Sequence, residues 1–349
     1  MKNITVNASS KYDVTVGRGL LHECGEIIAS VCGIGKICIV CDDTVSGIYG
    51  DTAENSLTKA GFEVYRFVFP HGEASKCLDT AARLYSFLAR NRFTRTDTLA
   101  ALGGGVTGDL TGYCAATYLR GIDFVQLPTT LLAQVDSSVG GKTGVNICEG
   151  KNLVGAFKQP KAVICDTETL STLPAEFFSD GMGEVIKYGM IKSKPLFDLL
   201  TDTDVQAFPD DAIAQCISIK RDVVEADEFD TGERMLLNFG HTLGHAIEKA
   251  YNFTGISHGH AVAAGMAIIS RLSERAGYSS AGMTARLTAC LERYGLPCGT
   301  DIPLTKLAEA CLVDKKCLNR RINLILCSDI GKGFIREFGF DEFYDFLRK

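Results

Sequence analysis

TLAALGGGVTGDL, residues 98–110, decides the fold of this chain. Residues 98–102 form a short apolar run without alternation, the pattern of a strand covered on both faces of a sheet. The next six residues, GGGVTG (103–108), fit G-x-G-x-x-G and open a predicted helix over 106–119. Glycines in that position let backbone approach a pyrophosphate, while the helix start offers N–H donors and the positive end of its dipole. A plain tight turn would also fit the motif, but the strand before it and the helix after it favour a dinucleotide. The motif lies about 100 residues into the chain, so it is not the first βα turn of an ordinary Rossmann domain. Asp123 stands near the offset of a ribose-binding acid and adds little weight.

Working outward, KICIVC (36–41), EVYRFVF (63–69), IDFVQL (122–127) and AVIC (162–165) read as further buried strands, with another at 12–16. Helical patterns over 45–60 and 75–91 alternate with them. This alternation predicts an α/β domain with a Rossmann-like parallel sheet. Beyond residue 167 the period changes to 3.6, over 176–191, 211–227, 234–251, 261–276 and 282–294, with one strand-like run at 322–327. The expected layout is a dinucleotide-binding domain over 1–166 and a mainly α-helical domain over 167–349.

The composition fits two domains. The 349 residues include 36 basic and 42 acidic ones, a net charge of −6, and 46% are hydrophobic, which excludes a disordered or fibrous chain. The balance is uneven: 16 basic and 15 acidic residues lie in 1–165, against 20 and 27 in the rest. An acidic chain of this kind argues against general nucleic-acid binding. No apolar run approaches the roughly 18 residues of a membrane span, and MKNITVNASS lacks the apolar segment of a signal peptide. The 14 cysteines are too dispersed in too long a chain for a secreted disulfide scaffold. Cys38 and Cys41 form the one CxxC, but on a strand residues three apart face opposite sides, which suits neither a redox pair nor a zinc knuckle. Buried, reduced thiols and a cytoplasmic location are expected.

Two further segments carry chemistry. DSSVGGKTGVNICEGKNLVGAFKQPK (136–161) sets Lys142, Lys151, Lys158 and Lys161 among glycines, so flexible backbone and ammonium groups suit an anionic ligand better than a solvated loop. NFGHTLGHAIEKAYNFTGISHGH (238–260) holds four of the six histidines. His241 and His245 share a helix face, and His258 follows a glycine-containing turn. Clustered imidazoles point to a metal site, and with no CxxC nearby, to an open catalytic one. A carboxylate ligand is then needed, and Glu184 in GMGEVIKYG is the candidate, since among small buried neighbours it needs a partner. A dinucleotide fold, a helical metal domain and lysines between them suit redox chemistry at a metal-acidified hydroxyl.

These motifs resemble the 3-dehydroquinate synthases of the shikimate pathway. The matching stretches are PHGEASK (70–76), GGGVTGD (103–109), ATYLRGIDFVQLPTTLLAQVDSSVGGKTGVN (116–146), GKNLVGAFKQP (150–160), GMGEVIKYG (181–189), RMLLNFGHTLGHAIE (234–248), HGHAVAAGM (258–266) and a late DKK (314–316). The resemblance implies zinc, or cobalt in its place, on Glu184, His241 and His258, with His245 a substrate contact. It implies NAD at Gly104, Gly105, Val106, Gly108 and Asp109, with Asp42, Glu73, Lys76, Thr129, Thr130 and Lys151 contributing, and Asp136 and Lys142 where cofactor meets substrate. Asn152, Lys187, Lys220, Arg234 and Asn238 correspond to substrate contacts. Arg120 corresponds to an arginine that reaches the neighbouring subunit of a homodimer. Lys315 or Lys316 corresponds to a phosphate ligand.

The substrate so implied is a phosphorylated sugar acid, 3-deoxy-D-arabino-heptulosonate 7-phosphate. In the family its C5 hydroxyl is oxidised, phosphate leaves by β-elimination, C5 is reduced again, and the opened ring closes by an aldol step. The departing phosphate takes the C6 proton, so no dedicated base is required. Two positions depart from the family: His260 where Glu usually follows the last metal ligand, and His71 where Asp or a small residue is usual. The alternatives are another sugar-phosphate cyclase, making an inosose or valiolone, and a metal-dependent polyol dehydrogenase. The latter usually carry GGGS in the glycine turn and lack the lysine set of 142–152. A non-catalytic metal-binding or nucleotide-sensing protein is a remote third.

Overall fold

The computed structural model describes residues 1–202, 210–252, 255–313 and 321–348. They group into two compact units, Met1–Pro174 with Cys216–Phe229, and Ala175–Gln215 with Asp230–Lys349.

The first unit is built on strands β1 (Lys2–Asn7), β2 (Lys11–Gly17), β3 (Lys36–Asp42), β4 (Glu63–Phe69), β5 (Thr98–Gly103), β6 (Asp123–Pro128), β7 (Lys142–Ile147), β8 (Gly150–Phe157) and β9 (Ala162–Asp166). Seven of them form one sheet in the order β1-β2-β9-β6-β5-β3-β4. Only β1 runs antiparallel, against β2. All six residues of β5 are buried, as its unalternating sequence requires of a strand covered on both faces. One face packs on α1 (Cys24–Cys32) and α3 (Asp51–Lys59), which follows α2 (Asp43–Val45). The other packs on α4 (Leu78–Arg90) and α5 (Gly105–Thr117). Cys41 belongs to the first of these cores and Cys38 to the second, so the CxxC is split by the sheet itself.

The chain lays β4 on one side of β3, then crosses to place β5 on the other. Such a switch point opens a crevice at the carboxyl ends of parallel strands, and the glycine turn after β5 stands there. α5 lies tight on its neighbours. A Cβ at Gly108 would come within 2.5 Å of the Gln126 side chain, and one at Gly112 within 2.4 Å of Thr143.

Two expectations change here. The lysine segment is an ordered antiparallel hairpin of β7 and β8. Its Gly144 and Gly155 are opposed, and a Cβ on Gly155 would fall 2.3 Å from the Thr143 carbonyl, so these glycines serve close backbone approach. Residues 216–229, expected with the helical half, group with the sheet. Glu225 accepts from Asn7 N (2.6 Å), Glu228 from Ser9 N (2.7 Å) and Gln159 Nε2 (2.8 Å), and Lys220 donates to the Asp136 carbonyl (2.5 Å).

The second unit contains α6 (Ala175–Ile191), α7 (Lys194–Asp202), the start of α8 (Asp210–Ala226), α9 (His241–Ala250), α10 (His258–Arg275), α11 (Met283–Arg293), α12 (Leu304–Val313), a hairpin of β10 (Arg321–Asp329) and β11 (Lys332–Gly339), and α13 (Phe340–Arg348). The single helix expected over 234–251 is broken. A 3-10 turn, Glu233–Asn238, leads to Gly240, whose φ of 79° is a left-handed conformation costly for other residues, and α9 starts one residue later.

Glycines bring α6, α9 and α10 together. A Cβ on Gly183 would lie 2.7 Å from the Gly259 carbonyl oxygen, one on Gly259 1.9 Å from that of Asp180, and one on Gly265 2.1 Å from that of Gly240. Asp180 in turn accepts from the first amides of α10, Gly259 N at 2.6 Å and His260 N at 3.2 Å, capping it from another helix. Gly259→Ala is expected to cost about 1–3 kcal/mol, the range for overpacking. Gly299→Ala, where a Cβ meets nothing within 4 Å, is the control. Equal urea midpoints for the two variants would refute this crossing.

Candidate active site

Each of three donors sits beside a crossing glycine: Glu184 after Gly183, His241 after Gly240 and His258 before Gly259. Glu184 is fully buried. Its Oε1 faces His241 Nε2 at 3.5 Å and His258 Nε2 at 3.6 Å, and its Oε2 contacts the buried ammonium of Lys187, one turn further along α6. The opposite ring nitrogens are held too, His241 Nδ1 at 3.1 Å from the Phe239 carbonyl and His258 Nδ1 at 3.3 Å from Glu248 Oε2. Such partners fix a ligating imidazole with its Nε2 lone pair toward the metal.

The donors of Glu184, His241 and His258 all lie within 4.8 Å of one another. A tetrahedral ion with bonds of about 2.1 Å has ligand–ligand edges of about 3.4 Å, and the separations of 3.5 and 3.6 Å match it. Two imidazoles and one carboxylate suit zinc or cobalt and leave a coordination position open. His245, Glu248 and His258 also converge within 4.8 Å. The two Nε2 atoms nevertheless point at Glu184, which favours the first set. Burial drives the His241 imidazole well below its usual range and keeps it neutral. Burial opposes protonation of His258 as well, but Glu184 and Glu248 outweigh it and hold that group up to about 10.

Around these donors, Arg234 is buried and Asn238 half-buried on the 3-10 turn ahead of α9, and His245 lies one turn beyond His241. His260 takes no part in the donor set. Its Nδ1 is 2.7 Å from Ser257 Oγ and 3.6 Å from Asp180.

In the first unit, the residues expected at a dinucleotide line the carboxyl ends of adjacent strands. Asp42 ends β3 and accepts from Val45 N (2.8 Å), capping α2. Glu73 and Lys76 follow β4, Gly104, Gly105, Val106, Gly108 and Asp109 follow β5, and Thr129 and Thr130 follow β6. Lys76 Nζ donates to Asp109 Oδ2 at 2.5 Å. Burial lifts the Asp109 carboxyl, and Lys76 only partly offsets this. Lys220 Nζ also lies 2.8 Å from Asp136 Oδ1. Lys142, Lys151 and Asn152 stand on the hairpin. Asn146 joins hairpin to turn: its Nδ2 donates to Glu73 Oε1 (2.7 Å), its N to the Lys76 carbonyl (2.8 Å), and its Oδ1 accepts from Asn152 N (2.9 Å). His71 pairs with Asp43 at 2.8 Å, outside this group.

Arg120 is not brought to the turn. It is exposed beyond the far end of α5, roughly 20 Å from Gly105 at 1.5 Å per helical residue. Lys315 and Lys316 lie outside the described residues. Sequence reasoning missed Asn146, Asp180 and Glu248. For Glu248 a signal existed, since 241, 245 and 248 repeat on one helix face.

Known proteins share this architecture and sequence. The architecture is that of the sugar-phosphate cyclases: the crystal structure of 2-deoxy-scyllo-inosose synthase complexed with carbaglucose-6-phosphate, NAD+ and Co2+ is 25% identical, with a TM-score of 0.85 and 99% of each chain covered. Models of the 3-dehydroquinate synthase N-terminal and C-terminal regions match residues 66–180 and 181–317. 3-Dehydroquinate synthases of Clostridium perfringens strain 13 and Streptococcus suis strain 05ZYH33 are 47% and 44% identical, over 96% and 99% of this chain and 97% and 99% of their own. The chain belongs to the 3-dehydroquinate synthase family.

The His258 environment makes metal uptake proton-linked. In the metal-free protein its pKa stands above the ordinary 6.5, at about 10. The stability it contributes is therefore complete below pH 6.5 and is lost as pH rises towards 10. An ion on Nε2 displaces that proton when the neutral tautomer keeps its hydrogen on Nδ1. Calorimetry at pH 8 in buffers of different ionisation enthalpy is expected to show close to one proton released per ion, with affinity rising about tenfold per pH unit. Heats independent of buffer would contradict it.

Proposed function

We propose that this chain catalyses the 3-dehydroquinate synthase reaction, converting 3-deoxy-D-arabino-heptulosonate 7-phosphate to 3-dehydroquinate and phosphate. The observation that carries the reading is the Glu184 carboxylate set against His241 and His258 on glycine-locked helices, in a chain that matches this family from end to end. The cofactors are NAD and a divalent metal, zinc or cobalt, on Glu184, His241 and His258. NAD supplies a reversible hydride acceptor and the metal supplies Lewis acidity at adjacent substrate oxygens.

The protein's own groups bind and orient. The α5 start and the glycine turn offer amides to the pyrophosphate, with Asp42, Glu73, Lys76, Asp109, Thr129 and Thr130 around the dinucleotide. Asp136, Lys142 and Lys151 stand where cofactor meets substrate. Asn152, Lys187, Lys220, Arg234, Asn238 and His245 hold the carboxylate, hydroxyls and phosphate of the sugar acid, restricting freedom for wrong cyclisation. Lys187, neutralising Glu184, and Lys220, held by Asp136, are buried ammonium groups already fixed by carboxylate partners. The C6 proton leaves with the phosphate, so none of these groups need act as its base.

Two finer points belong to the same proposal. Arg120, exposed with φ of 67° beside Leu119 at 50°, completes the site of a second subunit in a homodimer. The chain works in the cytoplasm, where its thiols stay reduced. Most of the described cysteines are buried, which shields their thiols.

Incubation with NAD, zinc and the heptulosonate phosphate is expected to release phosphate and form dehydroquinate without net NADH. NADH accumulating from a polyol with no phosphate released would overturn the reading. His241→Ala is expected to lose the metal and the activity, while His245→Ala loses activity and keeps one ion. A metal-free His245→Ala beside a metal-loaded His258→Ala would refute the ligand assignment.

A further inference from the structure

Beside the set of Glu184, His241 and His258, a second convergent set shares His258 with it. His245 and Glu248 share one face of α9, three residues apart, and their donor atoms meet those of His258 within 4.8 Å. Glu248 is 3% exposed, a buried carboxylate that requires a donor or a cation. It has His258 Nδ1 at 3.3 Å, and the His245 ring lies 6.0 Å from the His258 ring. His258 thus stands between two carboxylates, with Nε2 toward Glu184 and Nδ1 toward Glu248.

We propose a second divalent-cation site formed by His245, Glu248 and His258, filled after the first. The step replaces one proton: His258 Nδ1–H is lost to solvent, and the ion takes its place against Nδ1, the Glu248 carboxylate and a His245 nitrogen. His258 becomes an imidazolate bridge between two ions. Two nitrogens and one oxygen select zinc or cobalt over magnesium or calcium. The second ion binds more weakly than the first, because it must displace a proton and because two dications repel across a single ring. Filling the site takes His245 away from the substrate, so metal in excess inhibits. That consequence rests on the role proposed above for His245, whereas the site itself does not.

The test is equilibrium dialysis of the metal-stripped full chain against rising Co2+, with the visible spectrum recorded at each step. The wild-type chain is expected to bind two equivalents, the second at least about tenfold more weakly, and Glu248→Gln and His245→Ala to bind one each, since loss even of an outer partner costs about 10–100-fold in metal affinity. His245 is only partly buried, so its variant serves if Glu248→Gln fails to fold. One equivalent in the wild type up to millimolar Co2+, or two surviving in both variants, overturns the proposal. Phosphate release is scored separately. A chain that binds two ions but releases no phosphate loses the proposed reaction and keeps the site.

Discussion

A close approach of three helix backbones governs the chemistry of the helical unit. Gly183, Gly240, Gly259 and Gly265 stand where any side chain would collide with a carbonyl or the neighbouring helix, and the three donors are chain neighbours of these glycines. Helices ordinarily pack 8–10 Å apart through their side chains. Removing the side chains draws the axes together and leaves the adjacent residues nowhere to point but into the shared space. The cost is a fully buried carboxylate, and leaving such a charge uncompensated is worth several kcal/mol. Lys187 and the protonated His258 supply the compensation.

The α/β unit solves a different problem with the same residue. Its glycines bring α5 onto Gln126 and Thr143 and let β7 and β8 meet backbone to backbone. Polar groups at the carboxyl ends of the strands are then wired together before any ligand arrives. Lys76 holds Asp109, Asn146 spans Glu73, Lys76 and Asn152, and Lys220 grips Asp136. A cradle whose rotamers are already committed loses little freedom on binding.

Much of this was legible in the residues. The unalternating runs 36–41, 98–102 and 162–165 are strands because burial on both faces leaves no polar side, and the 3.6 period of 176–191 and 211–227 marks helices to within a residue or two. Cys38 and Cys41 fall in opposite cores as strand geometry demands. What escaped was long-range. Periodicity could not foresee the break at Gly240, which answers to Val262 and Met266 on another helix. The lysine-rich segment read as flexible backbone because its glycines are justified only by a strand across the hairpin. Asp180 acts through a partner 79 residues away, and no local pattern announces it.

The return of residues 216–229 to the sheet bears on modularity. The first unit is interrupted in sequence, with one stretch of the helical unit inserted before the residues that complete it. A truncation after Pro174 would keep every strand of the seven-stranded sheet. It would strip Asp136 of Lys220, and the amino-terminal hairpin of Glu225 and Glu228. The two units are therefore not interchangeable cassettes: neither can be excised, swapped or shuffled by a single cut.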